Sequence, residues 1–191
     1  MKKIIFIGLC LSFNLFAHTK HYFSSTPLKV ITIGHPTLTM VAQEVDHQEI
    51  LTPKLQNFID ELIKTMKKAG GVGIAAPQVN ISKRLFIIKP GLFKKAETII
   101  NPTIEYNEML GKKSSTEGCL SIPGKKFKVN RYKEVNINYY NRKGVFKAET
   151  ASGFRAIVFQ HEYDHLNGIM ISDFFNLEIF GIEEFEHVPV M

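Results

Sequence analysis

Residues Phe159–Gly168, FQHEYDHLNG, set two histidines four positions apart with a glutamate directly after the first. On a helix, positions i and i+4 share a face, so the imidazoles of His161 and His165 can reach one ion. Glu162 is offset around the helix, where its carboxylate can touch water at that ion without becoming a ligand. The surroundings read as helix. Ser152 is a candidate N-cap, Phe154, Ile157, Val158 and His161 mark one side, and Gly168 sits where a C-terminal glycine belongs. An H-E-x-x-H also recurs by chance on amphipathic helices whose histidines only satisfy local hydrogen bonds, so the remainder of the chain has to decide.

The 191 residues are 45% hydrophobic and 22% charged, enough for one domain with an ample core. The net charge of +6 is modest and the lysines are scattered. Their pairs, such as Lys67-Lys68 and Lys125-Lys126, are not interleaved with aromatics, so no specific nucleic-acid partner is expected. The first residues, MKKIIFIGLCLSFNLFAHTK, place two lysines before an apolar run from Ile4 to Phe16 and then Ala17. That is the layout of a secretory signal, and it is short for a membrane span. Residues 1–26 are therefore read as a signal-like leader and linker, a candidate membrane contact. If Cys10 belongs to that leader, Cys119 is the one thiol left to the domain and no internal disulfide can form. A lone cysteine beside an H-E-x-x-H is a candidate third ligand, against the ordinary reading of a buried structural thiol.

Thr52-Pro53 followed by KLQNFIDELIKTMKKAGG predicts a helix. Thr52 caps it, Leu55, Phe58, Ile59, Leu62, Ile63 and Met66 recur at three-and-four spacing, and Gly70-Gly71 stop it. Arg84–Ile88 and Thr98–Ile100 suit strands. Val135, Ile137 and Tyr139 alternate, Asn141–Gly144 turns, and Val145–Ala148 returns as a hairpin. One helix, several mostly antiparallel strands and the histidine helix make an α+β domain. Two stretches are too specialised for plain loops. In GGVGIAAPQ, Gly70–Gln78, the residues Gly71, Gly73 and Ala76 imitate a dinucleotide fingerprint. That fingerprint needs a strand before it and a helix after it, but here a helix comes before and Pro77 breaks the stretch after, so the reading fails. In EGCLSIPG, Glu117–Gly124, Cys119 precedes a proline-bounded turn, and a thiolate with two imidazoles makes a sound three-ligand set.

Taken together, GVGIAAPQ, EGCLS and QHEYDHLNG, in this order, resemble the peptide deformylase family. The resemblance spans about Pro27 to Asp173, so residues 27–173 are read as the catalytic domain and 174–191 as a tail without an assigned role. It implies antiparallel strands packed around a central metal-binding helix, with Cys119, His161 and His165 as ligands and Glu162 as general acid/base. It further implies Gln78 and the backbone N–H of Leu120 as oxyanion donors. The implied activity is hydrolysis of the formyl group from N-terminal formyl-methionine, releasing formate. One divalent ion per chain is implied, usually Fe²⁺, with Zn²⁺, Ni²⁺ or Co²⁺ able to replace it. Gly73 and the glycine loop would keep the acyl pocket small, while Val72, Leu120, Phe154 and Val158 are candidate walls for the methionine side chain. Ile74 replaces the usual leucine, Lys126 stands where an arginine is common, and Arg131 matches a downstream arginine. The partners implied are N-formyl-methionyl peptides or nascent chains, with weak ribosome association if the chain is cytosolic. The leader points instead to export. Two other readings stay open: an exported zinc endopeptidase with Glu178 or Glu183 as third ligand, and an idle metal-binding relic.

Overall fold

The computed structural model describes residues 27–89 and 95–174. The leader and Cys10, and the tail from residue 175 with Glu178 and Glu183, lie outside the described residues. The first helix, α1, spans Pro53–Lys68. Thr52 caps it as expected, its hydroxyl accepting from the Leu55 N–H at 3.3 Å. Leu55, Ile59, Leu62 and Met66 are buried, while Phe58 and Ile63 flank them half-buried.

Five strands form one antiparallel sheet: β1 Gly73–Ala75, β2 Leu85–Ile88, β3 Glu97–Tyr106, β6 Glu134–Tyr140 and β7 Phe146–Ser152, in the order β1-β2-β3-β6-β7. The other two, β4 Lys112–Cys119 and β5 Ile122–Tyr132, form a separate hairpin. The second helix, α2, spans Gly153–Leu166 and carries both histidines. The expected β6–β7 hairpin is present, with Tyr140 opposite Phe146.

The composition of β2 shows how the layers stack. Leu85 and Ile87 join the core of α1, whereas Phe86 and Ile88 join the core of α2. A strand covered by a helix on each face needs apolar residues at every position, which is why LFII does not alternate. Strand β3 extends well beyond Thr98–Ile100 and shifts register between Ile100 and Thr103. Asn101 sits at the bulge with φ +49° and uses its amide twice, accepting from Val45 N–H and donating to Val45 C=O, both at 2.8 Å.

Helix α2 is enclosed by the sheet on one side and the β4–β5 hairpin on the other. Nine of its residues, including Gln160, His161, Glu162 and His165, are buried. The expected single apolar side is therefore replaced by burial all round, and Phe154 is 50% exposed on the first turn. Ser152 occupies the N-cap position but makes no side-chain cap bond, because it ends β7 and Gly153, at φ +58°, makes the break into the helix. At the other end, the Arg84 guanidinium donates to Leu166 C=O at 3.2 Å and to Asn167 Oδ1 at 3.1 Å, satisfying a terminal carbonyl. Gly168 comes next with φ +70°, as its C-terminal place predicts, and a Cβ there would lie 2.6 Å from the Thr39 backbone.

Candidate metal centre and active site

Strand β4 ends at Cys119, which pairs with Ile122 across the two-residue turn Leu120-Ser121. That turn delivers the thiol against the inner face of α2. Cys119 Sγ lies 3.3 Å from His165 Nε2, and the ligand atoms of Cys119, His161 and His165 fall within 4.8 Å of one another. All three residues are at most 2% exposed. Buried polar atoms are nearly always satisfied. His161 Nε2 and both carboxyl oxygens of Glu162 nevertheless lack hydrogen-bond partners among the described residues. A thiol and two imidazoles with an orphaned ring nitrogen fit a divalent first-row ion and leave a coordination position open.

The histidine that carries this orphan is fixed from behind. His161 Nδ1 lies 3.0 Å from Glu117 Oε2, the carboxylate partner typical of metal-ligating imidazoles. Arg131 grips Glu117 with two hydrogen bonds, Nε at 2.9 Å and Nη2 at 3.0 Å, and Asp164 with a third at 2.6 Å. Burial pushes the Glu117 carboxyl up, but hydrogen bonds from His161 and Arg131 outweigh it and hold it below the usual carboxylate range. At Asp164 burial wins and the carboxyl is raised despite Arg131. Removing one partner of such a buried cluster costs about 3–5 kcal/mol, because the remaining charge is left uncompensated. Gln160, beside His161, pairs with Tyr132 as a strand would, accepting from its N–H and donating to its C=O at 2.9 Å each, so α2 and β5 are locked together.

Glu162 is fully buried beside the three candidate ligands. Burial, and then the charges of Asp164 and Glu117, push its carboxyl well above the ordinary range, with Arg131 in partial opposition. Burial likewise raises the Cys119 thiol to about 12 and holds His165 well below its usual value, hence neutral. Strand β1 passes directly over Glu162, since a Cβ at Gly73 would lie 2.3 Å from Glu162 Oε1. Gln78 lies in the next turn, Ala76–Val79. Its Oε1 accepts from Ala75 N–H at 2.8 Å, which turns Nε2 toward Cys119 Sγ at 3.5 Å and Ser121 Oγ at 3.3 Å.

The structure thus brings together Cys119, His161, His165, Glu162, Gln78, Gly73 and the Leu120 turn, whose side chain meets Gly71. Val72 and Val158 both pack into the α2 core, Val158 fully buried and Val72 half-buried. Phe154 stands outside that cluster. The sequence reading missed Glu117, Asp164 and Ser121, and it matched Arg131 without giving it a role. Their signals were faint. Glu117 lies two residues before Cys119, hence on the same strand face, and Asp164 lies three after His161, hence near it on the helix.

A Cys/His/His centre beside a buried carboxyl, on an α+β scaffold, defines the class as metal-dependent hydrolases. The family model described as "Polypeptide deformylase" matches residues 27–178. The peptide deformylase of Halothermothrix orenii is 42% identical over 146 residues, covering 76% of this chain and 92% of that one. The crystal structure of peptide deformylase from Thermotoga maritima superposes with a TM-score of 0.74 at 36% identity, over 79% of this chain and 99% of that chain. A Met-Ala-Ser-bound class I type b peptide deformylase from Acinetobacter baumannii aligns at 34% identity and TM-score 0.74, over 79% and 99% of the two chains. The chain belongs to the polypeptide deformylase family, whose members deformylate N-formyl-methionine peptides in a metal-dependent reaction.

Proposed function

We propose that this site removes the formyl group from N-terminal formyl-methionine of peptides and nascent chains, with Cys119, His161 and His165 holding one Fe²⁺ that Zn²⁺, Ni²⁺ or Co²⁺ can replace. The observation that carries the reading is the meeting of three ligand atoms within 4.8 Å beside a buried, partnerless Glu162. A bound divalent ion would supply Lewis acidity, lowering the pKa of a water toward neutral. Glu162 takes the proton of the attacking water and delivers one to the departing amine. In the metal-free site burial raises this carboxyl, and a bound cation would draw it back toward the working pH, where a carboxyl can both accept and return a proton. Gln78 Nε2 and the Leu120 N–H donate to the oxygen that becomes negative as the formyl carbon turns tetrahedral. Collapse breaks the C–N bond and releases formate and a free amine.

Two substitutions probe this geometry residue by residue. Gln78→Ala removes one oxyanion donor, so kcat falls on the order of 10²–10³ with the ion retained. Gly73→Ala places a methyl where the Glu162 carboxyl now lies, 2.3 Å from Oε1. Either the strand or the carboxyl must move, and a displacement of about 1 Å costs roughly 10²-fold in kcat/KM at unchanged metal content. Formyl carries hydrogen where larger acyls carry carbon, so the close approach of Gly71, Gly73 and Leu120 supports selection of formyl. Val72, Leu120, Val158 and, at the exposed mouth, Phe154 are proposed to receive the methionine side chain. The test of the whole reading is formate release by the metal-loaded chain from formyl-Met-Ala-Ser, with acetyl-Met-Ala-Ser as control. Formate from the first and no cleavage of the second are expected. A loaded protein that yields none overturns the proposal.

A further inference from the structure

The turn that joins β6 to β7 carries chemistry that the deformylation site does not use. A cavity of about 360 Å³ opens beside it, its wall including Glu97, Thr98, Asn141, Arg142, Lys143 and Lys147. The charges there do not cancel. Glu97 is matched by Arg155 at 2.7 Å and Arg142 by Asp60 at 2.9 Å. Lys143 and Lys147 have no carboxylate partner among the described residues, so the wall keeps two uncompensated cations.

Between these lysines the chain exposes apolar side chains. Val145 is 49% and Phe146 55% exposed, with one side of the Phe146 ring set against Tyr140 at 5.4 Å between centroids. The neighbouring segment closes on the turn from one side, since a Cβ on Gly144 would lie 3.8 Å from Ile50 Cγ2. Adjacent exposed apolar residues beside two uncompensated cations mark an interaction surface. A folded RNA would offer phosphates too, but Val145 has no π-face on which a base could stack and the Phe146 ring is already engaged by Tyr140. An anionic lipid surface satisfies both halves, since acyl boundary takes the apolar tips and headgroup phosphate takes the cations. We propose that the β6–β7 turn docks on an anionic phospholipid bilayer, with Val145 and Phe146 entering the apolar boundary and lipid phosphates held at Lys143 and Lys147. This surface shares no residue with the metal centre.

The test is flotation of the full chain with phosphatidylcholine vesicles prepared with and without phosphatidylglycerol. Every variant keeps the leader, so differences between variants report on the turn alone. The wild type partitions more strongly onto the phosphatidylglycerol vesicles. Lys143→Gln with Lys147→Gln weakens that partition roughly 25-fold, at roughly fivefold per lysine near a charged surface. Val145→Ser with Phe146→Ser weakens it about tenfold or more, because the apolar anchor is lost. Both variants keep wild-type kcat/KM on a soluble formyl-Met peptide. Lysine variants that float as the wild type does overturn the proposal and leave the binding to the leader. A serine variant that floats normally, with single-stranded RNA bound as tightly as the vesicles, overturns it in favour of a general polyanion site.

Discussion

Glu162→Gln lowers kcat/KM of the metal-loaded protein by about 10²–10⁴ while the ion stays bound, the loss expected when a general acid/base is removed. Glutamine has the shape of the protonated carboxyl and fits under Gly73, so the cradle is preserved. Because the glutamate has no hydrogen-bond partner to lose among the described residues, the substitution leaves thermal stability near that of the wild type. The measurement is formate release at matched metal content, together with a melting curve. An ordinary rate would mean that the proton passes through some other group. An idle relic predicts that same equality, at a rate near zero for both proteins.

Cys119→Ala removes the sulfur and with it the ion, so both metal content and activity collapse. The thiol is also the centre of the pH dependence. In the metal-free site burial pushes it up to about 12, so near neutral pH it carries its proton. Uptake of the ion expels that proton, whereas His165, held well below its usual value, is already neutral and gives up none. Apparent affinity therefore rises with pH, about tenfold per unit for the one proton released by Cys119. Titration of the metal-free chain at several pH values checks the slope, and a flat profile would remove Cys119 from the ligand set. A zinc endopeptidase using Glu178 or Glu183 would instead keep its ion and activity in the alanine variant.

Much of this was legible in the sequence, for reasons that differ by element. Helix α1 announced itself because one face meets the core and the other meets water, leaving a clear period. The β6–β7 hairpin showed the alternation of a half-buried sheet. Helix α2 was found through its histidines rather than its period, since burial on all sides erases the amphipathic pattern. The β4–β5 hairpin was harder still. Its first strand, KKSSTEGC, buries only its last residues, Glu117, Gly118 and Cys119, so no apolar alternation marks it.

The site divides in the same way. The proposed ligands and Glu162 sit in short motifs, whereas the cluster behind them depends on contacts distant in sequence. Arg131 meets Glu117 across 14 positions and Asp164 across 33, and only folding brings them together. The burial of Val158 and the exposure of Phe154 depend equally on which side of α2 the sheet covers.

X-ray absorption at the metal edge of the zinc-loaded chain tests the ligand set most directly. One sulfur at about 2.3 Å and two imidazole nitrogens at about 2.0–2.1 Å are predicted. A first shell of nitrogen and oxygen alone, with Cys119 present and reduced, would contradict it.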